Sequence, residues 1–191
     1  TKHVPILNSS VLNSLADEIK QEMGRLDILV NNAGVTKVVP HQDLDGLQDE
    51  DIDRILTTNF RGSFACIRAF QNLLAKSGEG LVINISSIAG STAVGSSVAY
   101  CASKAAINSM TMSLGRALAP NIRVVAVAPG WVAGEYASRV DPAYMQEQIN
   151  KTPLGRIANA SDVANTVVAL STTVTFNTGC IIPVDGGRPL T

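Results

Sequence analysis

The chain has 191 residues, of which 46% are hydrophobic and 16% charged, and its formal net charge is −1. That length and apolar content suit one folded domain with a sizeable core and exclude a disordered chain. The balanced charge leaves no basic footprint for nucleic acid, and no apolar run reaches the roughly 18 residues that a membrane-spanning helix requires.

The hydrophobic pattern alternates between helical and strand periods. Val11, Leu12, Leu15 and Ile19 mark one face of an amphipathic helix over 10–23, with Gly24 as its stop. A strand over 27–31 follows and runs into Asn31-Asn32-Ala33-Gly34. Residues 41–49 read as loop. A long helix begins at Asp49-Glu50-Asp51, acids suited to the positive end of its dipole, and continues to about residue 76. Ser77-Gly78-Glu79-Gly80 turns into a strand over 81–85 that delivers Ser86 and Ser87 at its C-terminal end. A loop over 90–96 leads to a helix over 98–119, stopped by Pro120. A strand over 122–127 is closed by Pro129-Gly130, and a short helix is predicted near 142–149. A helix over 161–171 and a strand over 180–184 end at Asp185-Gly186-Gly187. Near-continuous apolar strands between helices predict an α/β fold, with one Rossmann-type doubly wound parallel sheet in a single domain.

Cys66, Cys101 and Cys180 are widely spaced in apolar segments and read as reduced, buried thiols. Thr1-Lys2-His3-Val4-Pro5 has no signal-peptide character, so a cytoplasmic protein is expected. His3 and His41 are the only histidines, and no Cys/His/Asp cluster has the spacing of a metal site.

The chemistry centres on Tyr100 and Lys104. They are four residues apart in the predicted 98–119 helix and so share a face. A neighbouring ammonium favours the phenolate and lowers a pKa that is about 10 in a free tyrosine. The pair forms an acid/base device suited to neutral pH. Ser87, at the C-terminal end of a buried strand, stands where open α/β sheets bind ligands. Alone, a Tyr-x-x-x-Lys is more often a half-buried tyrosine beside a solvated lysine. Here it keeps company with Asn31-Asn32-Ala33-Gly34 after one strand, Asn59 within a helix and Pro129-Gly130 after another strand.

This ordered set resembles the classical short-chain dehydrogenase/reductase family, from about residue 8 to the C-terminus. The resemblance implies hydride transfer between NAD or NADP and a small-molecule alcohol or ketone. It makes Tyr100 the catalytic acid/base, Lys104 its partner and a ligand of the nicotinamide ribose, and Ser87, not Ser86, the group that polarises the substrate. Asn59 matches the asparagine that holds a water for proton relay; on its own it also reads as a mid-helix residue satisfied locally. Asn32, Ala33 and Gly34 resemble the loop on the adenosine side, though Asn and Gly suit any strand-end turn. Pro129, Gly130 and Val132 resemble the segment that meets the carboxamide. Residues 131–157 match the substrate lid, where Trp131, Tyr136, Tyr144 and Met145 either line an apolar substrate site or pack the lid on itself. The family implies a homodimer or homotetramer, built chiefly on the helices over 49–76 and 98–119.

Several features depart from the family pattern. No Gly-rich strand-to-helix turn of the dinucleotide fold occurs. The chain resembles a family member lacking its first two βα units, and we expect an incomplete record in preference to a natural truncation. On its own such a chain is expected to bind NAD(P) weakly. Gly134 stands where a threonine is common and Val125 where an asparagine is common; the acid that meets adenine is not evident, with Asn8 the nearest polar candidate. A non-catalytic cofactor-sensing or interaction protein on a degraded fold is the alternative. A serine hydrolase using Ser87 is disfavoured, because no G-x-S-x-G elbow surrounds it.

Overall fold

A computed structural model describes residues 2, 4–134 and 140–190. Its sheet is built from strands β1 (Ile28–Asn31), β2 (Gly80–Ile85), β3 (Ile122–Pro129) and β4 (Ile181–Val184). All neighbours are parallel and the order is β1-β2-β3-β4. Register pairs Asn31 with Asn84 and Val127 with Ile85 and Ile182, so the strands end together on one side. β2 and β3 are almost wholly buried, as central strands covered on both faces must be.

The period of two assigns the strand side chains to two cores. Val82 and Val124 pack with Leu12, Phe70, Leu74 and Ile107 on one face. Leu81, Ile83, Val125 and Val127 pack with Leu170, Val163 and Val167 on the other. The first face is covered by α1 (Ser9–Glu22), α3 (Ser63–Lys76) and α5 (Val98–Ala117), the second by α7 (Ala160–Thr172). The doubly wound parallel architecture expected from the sequence is therefore present.

Local signals explain the boundaries. Asn8 caps α1 by accepting from the Ser10 and Val11 amides, and Gly24 follows its end with a φ of +76°. The predicted long helix is α2 (Asp49–Leu56), a π-helical turn at Thr57–Gly62 and then α3, continuous in direction but locally underwound. The predicted 90–96 loop contains a short helix, α4 (Ala89–Thr92). Its Ile88 carbonyl accepts from the hydroxyls of Ser91 and Thr92, local bonds that hydropathy does not reveal. α6 (Pro142–Asn150) is capped by Asp141, which accepts from the Ala143 and Tyr144 amides. Cys66 and Cys101 are buried free thiols, but Cys180 is only half-buried, because the loop before β4 lies at the sheet margin. Among the described residues no helix is long and apolar enough to cross a membrane, and no cluster of metal-ligating side chains occurs.

Candidate functional site

The carboxyl ends of the strands open into a cavity of about 810 Å³. Each of four elements brings residues singled out from the sequence. β1 leads to Asn32 and Gly34, β2 to Ser87, α5 to Tyr100 and Lys104, and β3 to Pro129, Gly130 and Val132, all of which line this cavity. Three expected members, Ala33, Asn59 and Met145, are not part of that lining. Ala33 is not part of the lining, since the exposed loop after β1 presents its neighbours instead. Met145 is half-buried on α6 and also outside the lining, while Tyr136 falls outside the described residues.

Lys104 is not the solvated lysine of an ordinary surface helix. It is 7% exposed, its Nζ donates to the Ile85 carbonyl at 2.8 Å, and it sits 5.7 Å from the centroid of the Tyr100 ring. Burial pushes its pKa down from 10.5 to about 8. The i, i+4 spacing thus becomes a real pairing of ammonium and aromatic ring.

The two serines after β2 part company. Ser86 is buried, and its Oγ lies 2.6 Å from Asn108 Oδ1 and 3.3 Å from the Lys104 carbonyl, so its one proton is spent on α5. Ser87 is half-buried; its Oγ accepts from the Ala89 amide at 3.1 Å. That bond leaves the Ser87 hydroxyl proton for a cavity ligand, consistent with the sequence preference for Ser87 over Ser86. Gly90 makes this junction: a Cβ there would lie 2.7 Å from the Lys104 carbonyl carbon and 2.8 Å from Asn108 Nδ2. α4 and α5 can approach this closely only because the residue is glycine.

Asn59 stands in the π-helical turn and is almost fully buried. Its Oδ1 accepts from the Val35 amide at 2.8 Å, and its Nδ2 donates to the Val35 carbonyl at 3.0 Å and to Ser103 Oγ at 2.9 Å. Ser103 in turn donates to the Tyr100 carbonyl at 2.7 Å. The side chain therefore ties the loop after β1 to the turn of α5 that carries Tyr100. Asn8, by contrast, is occupied in capping α1.

Segments 35–41 and 93–97 zip together into one wall. Val39 donates to the Ser96 carbonyl at 2.8 Å, and His41 Nε2 is bonded to the Gly95 carbonyl at 3.1 Å. Opposite, the 131–157 segment is pinned at its base where Val132 pairs with Ala158, and the Trp131 and Tyr144 rings meet edge to face at 5.9 Å. Tyr144 is nevertheless half exposed and, with Trp131, lines the cavity. The two rings therefore touch each other and both face the cavity. Sequence reasoning passes over Gln148 and Arg188, which complete this wall, because residues 40 apart meet only through the fold.

Residues 4–188 match the family model described as Enoyl-(Acyl carrier protein) reductase, of the short-chain dehydrogenase group. The chain is 40% identical over 178 residues to a Streptomyces violaceoruber protein named as a ketoacyl reductase of the granaticin polyketide synthase, covering 92% of this chain and 71% of that one. It is 33% identical over 187 residues to the 3alpha-hydroxysteroid dehydrogenase of Mediterraneibacter gnavus, covering 97% and 74%. The structure superposes on a gluconate 5-dehydrogenase from Burkholderia cenocepacia, solved with NADP and tartrate, at a TM-score of 0.89 and 27% identity, over 97% of this chain and 73% of that one. The cavity at the strand ends and these relatives agree, and the chain belongs to the short-chain dehydrogenase/reductase family of oxidoreductases acting on alcohol and carbonyl groups.

Proposed function

We propose that the protein transfers a hydride between NAD or NADP and a small-molecule alcohol or ketone, with Tyr100 as acid/base. The observation that carries this reading is the buried Lys104 ammonium, 5.7 Å from the Tyr100 ring centroid, in the cavity that Ser87 also lines. A pure binding module has no physical need for such a costly arrangement.

The residues present suit a nicotinamide nucleotide. No carboxylate lines the cavity among the described residues, so an anionic dinucleotide meets no repulsion there. Gly34 keeps the approach to the lysine open: a Cβ at this position would lie 3.4 Å from Asn59 Oδ1 and 3.8 Å from Lys104 Nζ. Lys104 would hold the ribose hydroxyls, Pro129, Gly130 and Val132 the carboxamide, and Asn32 and Gly34 the adenosine side. When bound, the nicotinamide supplies or accepts the hydride.

In the reducing direction Ser87 donates a hydrogen bond to the substrate oxygen, stabilising the charge that develops on it. Tyr100 gives that oxygen its phenolic proton; in the oxidising direction it takes the proton back. Lys104 favours the phenolate that results. Asn59 holds the relay water through its main-chain carbonyl, since its side chain is spent on Val35 and Ser103. That carbonyl also accepts from Ser63 Oγ at 2.8 Å. The 131–157 segment acts as substrate lid, and Trp131 and Tyr144 offer apolar faces to the substrate.

Tyr100→Phe tests the reading directly. The ring and its packing survive, and turnover is expected to fall about a hundredfold or more, as for loss of a general acid. Near-normal nicotinamide-coupled turnover by a folded Tyr100→Phe protein would rule the mechanism out.

A further inference from the structure

We infer that Asn108 is a positioning residue. Its side chain ties the turn that carries Ser87 to the helix that carries Tyr100 and Lys104. It thereby sets the spacing between the group that polarises the substrate and the group that moves its proton. Those two roles rest on the oxidoreductase reading; the tie itself stands on geometry.

Asn108 follows Lys104 at i+4 and Tyr100 at i+8, so the three form one stripe along α5. It is 9% exposed. An asparagine is a weak helix former, and a buried amide is unfavourable unless it is paired. Its Oδ1 accepts from Ser86 Oγ at 2.6 Å. Its Nδ2 faces the other end of the same turn, where a Cβ on Gly90 would lie 2.8 Å away. The amide is therefore wedged against both ends of 86–90, with Ser87 between them.

The backbone of this turn hangs on β3. The Ser86 amide donates to the Val127 carbonyl at 2.7 Å, and the Ile88 amide to the Pro129 carbonyl at 3.0 Å. These bonds flank Ser87 but do not touch α5. The Lys104 ammonium reaches across from α5 one step earlier, at the Ile85 carbonyl, and is not attached to the turn. Ser86 Oγ makes the connection, 2.6 Å from Asn108 Oδ1 and 3.3 Å from the Lys104 carbonyl. The shorter contact takes the proton. Without Asn108 the bonds to β3 keep the sheet intact, while the turn loosens against α5. Ser87 then drifts relative to Tyr100, and a misplacement of about 1 Å at a reacting centre costs up to about a hundredfold in rate.

Native-state hydrogen exchange reads the tie without turnover. The Ala89 amide donates to Ser87 Oγ, that of Gly90 to the Ser87 carbonyl, and those of Ser91 and Thr92 to the Ile88 carbonyl. These four amides therefore report opening of the turn. In Asn108→Ala they should exchange about tenfold faster, the scale of one buried hydrogen bond, while the amides of β3 keep their protection. Ser86→Ala cuts the same bond from the other side and should give the same pattern, and the double variant should add nothing to either. Turnover is measured on whichever of a set of aryl and alkyl ketones the native protein reduces fastest with NADH or NADPH. There kcat should fall about tenfold in Asn108→Ala, with the KM for the nicotinamide unchanged. In a Ser87→Ala background Asn108→Ala should leave kcat where Ser87→Ala put it, because the group it positions has gone. Unchanged exchange of the four amides in both single variants, equally faster exchange throughout β3, or the same drop in kcat with and without Ser87 would overturn the inference. The expected exchange pattern in a protein whose native form reduces no ketone would uphold the tie and sink the oxidoreductase reading instead.

Discussion

Lys104 pays for its position. Its ammonium is buried against a carbonyl and a ring, and burial lowers its pKa to about 8. Below about pH 8 the amine is protonated in both folded and unfolded chains, and the folded state bears the whole desolvation cost. Between about 8 and 10.5 the unfolded chain holds the proton and the folded chain sheds it, so stability rises with pH across that window. Lys104→Met removes the titration. Urea unfolding at about pH 7 and about pH 10 should show the native protein gaining on Lys104→Met, by up to about 3 kcal/mol. The same variant should lose both turnover and cofactor affinity, because one side chain serves both. A stability change with turnover and affinity intact would return Lys104 to a structural role. The spacing of Tyr100 and Lys104 made the pair legible in the company of the other motifs, and the end of the apolar run over 81–85 put Ser87 at the mouth of the cavity that it lines. The sequence could not show that Lys104 is buried, because burial depends on Ile85 and on the closeness of α4, which lie on other elements.

At the scale of elements, the site is set by how closely α4 and α5 approach. Gly90 is the contact point, with Lys104 and Asn108 on the other side. Gly90→Ala forces a methyl into backbone, and overpacking of this kind costs about 1–3 kcal/mol. The displaced group is the turn of α5 that carries Lys104, so kcat should fall along with stability. A Gly90→Ala protein with unchanged urea midpoint and unchanged kcat would show that the junction relaxes freely. The π-helical turn is a second device of this scale. Sequence periodicity shows the helix over 49–76 but not the extra residue within it, because a single π turn barely disturbs the hydrophobic stripe. Asn59 gave the only sign, a polar residue on a helix that turns out to serve Val35 and Ser103. Asn59→Ala leaves the Val35 amide without that acceptor, and a loss of about 1–3 kcal/mol is expected in urea unfolding.

At the scale of the whole molecule, the helices that carry the site also present apolar side chains outward. Phe60 and Phe64 are 37% and 38% exposed, one turn apart on the π turn and α3. Val98 and Met112 are 48% and 52% exposed on α5, spaced 14 residues and hence on one face. Val168 of α7 and Phe176, in the segment that follows it, are exposed as well, at 58% and 103%. Helices apolar beyond a single stripe need more than their own sheet to cover them. We therefore expect a homodimer through α3 and α5, and a homotetramer where α7 is used as well. Light scattering at micromolar concentration is the measurement, and a monomeric native protein would contradict the expectation. Phe64→Glu combined with Met112→Glu places carboxylates on α3 and α5, where like charges from two copies would meet. The double variant should lose that association while keeping its helical circular dichroism, because neither side chain belongs to the core. Retained turnover in the dissociated form would show that the acid/base pair is complete within one copy, and lost turnover would show that the dimer holds α5 in place.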